Sequence, residues 1–522
     1  MAAVPPAPIS SHWVVLFVTL GLGNFPAIAA SCESLTSLPL SSAAVVLAEP
    51  VAAGGFTPGG GSGIAGEPMR DLPAFCRVAA KLRPSSDSEI NVEVWLPASW
   101  NGKYLAVGNG GWGGSINYTA MAEGLRRGFA TSSTDTGHAS DVTNASFALG
   151  HLEKLIDYAY RSEHEMTLKA KAIIQTFYGE APKYSYWSGC SGGGKQALEE
   201  AQRFPTDYDG IIAGAPANRM VHLHAGWIRL SQVVHKSEDS YIPPQKYALI
   251  HQAVLAACDA LDGVVDGLIE NPKRCNFDPQ LLACPSGDGP TCLSAAQVEA
   301  AQQIYAPALN PRTRKEILPG LERGSELDWG TLAGPLRDGL PVTRESAVAV
   351  NMFRYVIFKD PSWDFRTLIL DRDLSVAEKM DHGLNEASNP NLKPFFAHNG
   401  KMLLYHGWSD QVVPPKNSIN YYESVVKSVG EAKAADSIRL FLAPGMSHCG
   451  GGAGPNQLDT ISAIEQWVEN GKAPDQLVAS HTTDGKVDRT RPVCPYPQFA
   501  RYQGSGSSDE ASSFACVQNP TQ

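Results

Sequence analysis

Trp187-Ser188-Gly189-Cys190-Ser191-Gly192-Gly193-Gly194 decides how this chain is read. Its centre, Gly189-Cys190-Ser191-Gly192-Gly193, fits G-x-S-x-G, a sharp strand-to-helix turn that holds a serine hydroxyl clear of the backbone. The flanks supply both elements. Lys183 to Trp187 is aromatic and strand-like, and Lys195 to Arg203 is rich in helix formers. Glycines let the chain turn there with no Cβ clash. A glycine-rich turn can also bind phosphate or merely reverse the chain. The nucleophilic reading of Ser191 therefore requires a base and an acid elsewhere.

Both occur downstream, in the order serine, acid, histidine expected after such a turn. Lys401 to Gly407 reads as a strand that enters Trp408-Ser409-Asp410, and Asp410 is the candidate acid. Ile438 to Leu442 reads as another strand. It runs into Pro444-Gly445-Met446-Ser447-His448-Cys449, so His448 sits on a glycine-rich loop suited to a general base. Upstream, the strand Tyr104 to Val107 leads into Gly108-Asn109-Gly110-Gly111-Trp112-Gly113-Gly114. Side chains there would block backbone N–H groups from a substrate oxygen. The Gly111 amide, with that of Gly192, is the expected oxyanion hole. Asp135 and His138 precede Ser191, the wrong order for a triad, and are read as residues fixing a nearby loop.

Composition sets the class. The 522 residues leave room for more than one domain, and the net charge of -11 argues against a nucleic-acid partner. The apolar run Trp13 to Leu22 is short for a bilayer and is followed by Ala27-Ile28-Ala29, a cleavage pattern. Residues 1–29 are read as a signal peptide, and no later stretch reads as membrane-spanning. Ten cysteines with no CxxC agree with export and a disulfide framework. Spacing suggests Cys258 with Cys275, Cys284 with Cys292, and Cys494 with Cys516.

The alternation of strand and helix stops between about Asn218 and Asn399. The expected organisation is an α/β fold in two segments, 30–217 and 400–522, with residues 218–399 inserted as a lid. Trp227, Trp329, Phe353, Tyr355, Phe358, Trp363 and Phe365 lie in that insertion, as aromatic pocket lining or as lid core. So does Cys258-Asp259-Ala260-Leu261-Asp262-Gly263-Val264-Val265-Asp266-Gly267-Leu268, three acids in one short loop. Hard carboxylates suit Ca²⁺, but the spacing is not that of an EF-hand, and two Asp-Gly turns would look the same.

Cys190-Ser191, Asp410 and His448-Cys449, with the run Arg489 to Gln498, resemble the tannase and feruloyl esterase family from Cys76 to Cys516. The resemblance implies an α/β-hydrolase fold with a large lid. It implies a structural Ca²⁺ held by Asp259, Asp262 and Asp266 with the Val264 and Leu268 carbonyls. A Cys190–Cys449 disulfide is implied as well, which leaves Cys32 to pair with Cys76. The implied activity is a secreted serine esterase for small aromatic esters, feruloyl or galloyl, free or carried on plant polysaccharide or tannin. A terephthalate monoester is the alternative substrate. Rival readings are another serine hydrolase, such as a peptidase or lipase, and a non-catalytic module on the same scaffold.

Overall fold

The computed structural model describes residues 1–3, 30–59, 66–337, 340, 341 and 343–518. The expected signal peptide, apart from its first three residues, lies outside that set. Nine strands build the main sheet: β1 Ala43–Val51, β2 Phe75–Leu82, β3 Ile90–Pro97, β4 Lys103–Val107, β5 Ala130–Thr134, β6 Tyr184–Cys190, β7 Gly210–Gly214, β8 Lys401–Gly407 and β9 Ile438–Ala443. They lie in the order β1-β2-β3-β5-β4-β6-β7-β8-β9. β1, β2, β3 and β5 pair antiparallel. From β5 through β9 every pairing is parallel.

The central parallel strands are short apolar runs because both faces are covered. Successive residues go to opposite faces. Trp187, Leu404 and Leu440 join one core with Ile173, Leu198 and Val425, from the helices Ser162–Tyr178, Gly192–Arg203 and Pro415–Val429. Their neighbours Tyr186, Leu403 and Phe441 join the other, with Leu125 and Trp467 from Tyr118–Arg126 and Thr460–Asn470. A one-residue slip of any of these strands would exchange the two faces.

Parallel pairing brings several strand ends to one edge. Cys190 stands opposite Gly214, and Gly407 opposite Ala443, so the loops carrying Ser191, Asp410 and His448 leave the sheet side by side. That carboxyl edge is where open α/β sheets place their ligands. The stretch between β7 and β8 contains the helices Met220–Val234, Tyr247–Cys258, Ala295–Tyr305, Arg344–Asn351 and Leu370–Asp381. One cluster there is its own: Tyr247, Ile250, Val254, Ile304 and Trp329. Another is shared with the body, since Trp227, Phe353 and Phe365 pack with Trp112, Tyr158, Val412 and Val413. The lid aromatics are thus mainly core. Trp329, Phe353 and Phe365 are almost wholly buried, while Tyr355, Phe358 and Trp363 pack on the shared cluster from outside.

Several elements differ from expectation. β1 was not anticipated. It is the edge strand, exposed on alternate residues, with a bulge between Val45 and Leu47 and a proline at position 50, features that blunt an edge. The helix expected across Leu152 to Phe177 contains a wide π-helical turn, Asp157–Arg161, between Leu152–Ile156 and Ser162–Tyr178. The chain ends in two hairpins, Leu477–Thr483 with Lys486–Val493 and Phe499–Tyr502 with Phe514–Val517. All ten cysteines are paired: Cys32–Cys76, Cys190–Cys449, Cys258–Cys275, Cys284–Cys292 and Cys494–Cys516.

Candidate active site

Ser191 stands between β6 and the helix Gly192–Arg203 with φ 61° and ψ -118°. An L-residue rarely takes up such a backbone, and its surroundings must enforce it. Ser191 N donates to Gly214 O at 3.0 Å, while its carbonyl accepts from Lys195 N at 3.0 Å and Ala217 N at 3.1 Å. Gly194 lets the helix sit this close to β7, because a Cβ there would lie 2.3 Å from Gly214 O.

Asp410 is fully buried. Its Oδ1 accepts the backbone N–H groups of Val412 and Val413, both at 2.8 Å. Its Oδ2 lies 2.7 Å from His448 Nδ1 and 3.0 Å from His406 Nε2. Burial would raise the carboxyl, but the two imidazoles outweigh it and hold Asp410 well below the ordinary range. It stays ionised across neutral pH. With Nδ1 of His448 engaged, Nε2 is left as the basic nitrogen. Ser191 Oγ has no protein hydrogen-bond partner among the described residues. Such contacts commonly tighten only when substrate binds. The Cys190–Cys449 bridge, Cα–Cα 5.9 Å, nevertheless ties the neighbour of Ser191 to the neighbour of His448.

His406 was not anticipated. Besides Asp410, it meets Ser418 Oγ through Nδ1 and Val413 O through Nε2, both at 2.8 Å, and it is fully buried. It braces the acid from behind. The base loop is also held from the lid, where Ser447 Oγ donates to Asp328 Oδ2 at 2.6 Å.

Gly111 has φ 54°, and a Cβ on it would meet Val142 O at 2.4 Å, so glycine is required. Gly192 touches the same loop, since its notional Cβ would lie 3.2 Å from Gly111 O and 3.4 Å from Gly111 N. Neither amide is donated to a protein acceptor among the described residues, so both are free for a ligand oxygen. Asp135 does fix a loop, accepting from Asn91 N, Asn91 Nδ2 and Gly137 N. His138 instead stacks on Phe147 at 3.5 Å. Trp227 borders a cavity of about 550 Å³ with Leu230, Leu318 and Val412, and none of Ser191, Asp410 or His448 lines it.

In the acidic loop, Asp259 accepts from Asp266 N at 3.2 Å and Gly267 N at 2.9 Å, and Asp262 from Val264 N at 3.2 Å. Asp266 pairs with buried Arg491. Among the described residues no three acidic, His or Cys side chains gather around one point. Asp262 Oδ2 is buried with no hydrogen-bond partner. An orphaned carboxylate oxygen among hard oxygen donors fits a calcium ion. Asp259, Asp262 and Asp266, with the Val264 and Leu268 carbonyls, are the residues that would hold it.

A serine on a strained strand-to-helix turn, two free amides beside it and an aspartate–histidine pair tied to it by a disulfide make up the equipment of a serine hydrolase. The profile of the family described as Tannase and feruloyl esterase matches residues 76–517, and the chain belongs to that family. Its relatives include an uncharacterized esterase of Xanthomonas campestris pv. campestris, 38% identical over 94% of this chain and 92% of that protein. A probable feruloyl esterase B-1 of Aspergillus oryzae is 32% identical over 86% of this chain and 85% of its own. The crystal structure of feruloyl esterase B from Aspergillus oryzae superposes with a TM-score of 0.86 at 30% identity, covering 93% of this chain and 99% of that one. The protein is a carboxylic ester hydrolase with an α/β-hydrolase fold.

Proposed function

We propose that the protein cleaves esters of aromatic carboxylic acids, hydroxycinnamoyl or galloyl, through an acyl-enzyme on Ser191. The tie between Ser191 and the Asp410–His448 pair carries this reading. His448 Nε2 takes the Ser191 proton as Oγ attacks the ester carbonyl. Asp410 orients the ring and stabilises its charged form. The Gly111 and Gly192 amides receive the developing oxyanion. His448 then protonates the departing alcohol, and water releases the acid by the reverse sequence. The names of the relatives support an aromatic acyl group.

The same proposal covers two further features. Five disulfides support an exported enzyme, and among the described residues no helix is long and apolar enough to cross a membrane. A calcium ion in the Asp259–Leu268 loop would neutralise its carboxylates and stiffen the lid.

The test is turnover of methyl ferulate, methyl caffeate, methyl gallate and a terephthalate monoester by the native enzyme and by Ser191→Ala. Ser191→Ala is expected to fold normally and to be inert. Turnover by that variant, or hydrolysis of aliphatic esters alone by the native enzyme, would overturn the reading. Preference for the terephthalate monoester would move the substrate class without moving the mechanism.

A further inference from the structure

The peptide groups around Gly111 form a closed account with one exception. Gly110 O accepts from Gly113 N at 2.9 Å, and Trp112 N donates to Val142 O at 2.8 Å. Gly111 O accepts from the Tyr158 hydroxyl at 3.0 Å. Both peptide planes that meet at the Gly111 Cα are thereby pinned, and Gly111 N–H is the group left over. The Tyr158 hydroxyl has one other candidate acceptor, Met220 Sδ at 3.5 Å, a weaker and longer partner. Tyr158 is the only side chain that holds the Gly111 carbonyl among the described residues.

Tyr158 is itself held from the nucleophile helix. It lies in the π-helical turn Asp157–Arg161, whose wider spacing leaves carbonyls free for other donors. Lys195, four residues beyond Ser191 and almost wholly buried, uses one of them. Its Nζ donates to Ala159 O at 2.7 Å and lies 5.3 Å from the Tyr158 ring centroid, within cation–π range. Gln196, the next residue, accepts from Asn109 N at 2.9 Å and donates to Glu163 at 2.5 Å, fixing the start of the same loop. Asn109, Gly111, Gly113, Tyr158, Gly192, Lys195 and Gln196 line one small void.

We propose that Tyr158 is a positioning residue of the oxyanion hole: its hydroxyl, braced by Lys195, fixes the Gly111 carbonyl so that the Gly111 amide faces the oxygen developing on the Ser191 adduct. The nucleophile helix then sets both halves of the hole, Gly192 directly and Gly111 through Lys195 and Tyr158. The inference rests on the proposed reading of Gly111 and Gly192.

Tyr158→Phe keeps the ring and removes the one bond. An aromatic methyl ester should show kcat down about fivefold to tenfold, as for a single neutral hydrogen bond, with KM within about twofold. A boronic acid that mimics the tetrahedral adduct should lose affinity by the same factor as kcat, while the free product acid binds as before. Tyr160→Phe, on the same turn, should match the native enzyme in all three. Lys195→Met should repeat the Tyr158→Phe pattern, and Lys195→Arg should restore part of it. If Lys195→Met does not fold, Tyr158→Phe decides alone. An unchanged kcat and boronate affinity in Tyr158→Phe would overturn the inference. So would equal losses of boronate and product-acid affinity, the mark of general damage. Neither outcome touches the proposed function, which is decided by the turnover of Ser191→Ala and by the ester panel on the native enzyme.

Discussion

Removing the Cys190–Cys449 bridge should cost both stability and rate. The bond spans 259 residues, and the chain-entropy relation for a loop of that length gives about 5.5 kcal/mol. The bridges inside it, of separation 17 and 8, hardly shorten the loop. The figure is an upper bound, since relaxation of the native loops and residual order in the unfolded chain both reduce it. The rate effect is bounded by what else holds the base. Ser409 N donates to Met446 O at 3.0 Å, Ser447 bonds Asp328 at 2.6 Å, and His448 N meets Gln411 Oε1 at 3.3 Å. These hold the loop to the acid side and the lid, and Cys449 alone holds it to the serine side by a covalent bond. An error of about 1 Å between base and nucleophile can cost about 10²-fold. Cys190→Ala with Cys449→Ala should therefore lose up to about 10²-fold in kcat, with KM for an aryl ester changed by less than about threefold. Urea titration with steady-state kinetics on the double variant measures both. Stability lowered by less than about 1 kcal/mol, or an unchanged kcat, would refute the role given to the bond.

Exhaustive chelation should lower the melting temperature while leaving kcat of the folded enzyme little changed. A cation at 100 times its dissociation constant stabilises by about 2.7 kcal/mol. Unchanged melting, together with no calcium by elemental analysis, would refute the site. Asp410→Asn should keep the fold and lose about 10³–10⁴-fold in kcat, because the charge that stabilises protonated His448 is gone. A loss below tenfold would remove Asp410 from the triad. Burial pushes Glu163 up to about 7, against 4.5 unperturbed, so the folded protein keeps a proton that the unfolded chain releases. The stability this group confers is complete below about pH 4.5 and declines as pH rises towards about 7. Glu163→Gln should flatten that decline in a series of urea midpoints, and an unaltered slope would show that Glu163 is not its source.

The local parts of the site were legible in the sequence. The turn around Ser191 is one contiguous motif, and its glycines are imposed by contacts such as Gly194 against Gly214 O. Asp410 and His448 followed from chain order and from their loops at strand ends. His406 did not, because a histidine closing an apolar strand looks like any buried one. Only the fold brings its Nε2 to Asp410. Tyr158 was hidden for a similar reason. Its helix reads as regular, and the π turn that aims its hydroxyl shows only once Lys195 is packed beneath it. β1 was less legible because Glu49 and Pro50 interrupt its apolar run, and its place is settled by its register against β2. In the acidic loop, N–H groups of the loop itself bond both Asp259 oxygens and one oxygen each of Asp262 and Asp266, a backbone detail that residue spacing does not show.

The indole of Trp112, next to Gly111, donates to Val348 O in the insertion at 3.1 Å. The insertion is therefore bonded to the residue beside the proposed oxyanion donor. Substitutions that reshape the insertion around Val348 should shift that donor too. If the insertion also shapes the acyl site, substrate range and turnover are mechanically coupled, and an altered lid that accepts a bulkier acid should need compensating changes around Trp112 to regain speed.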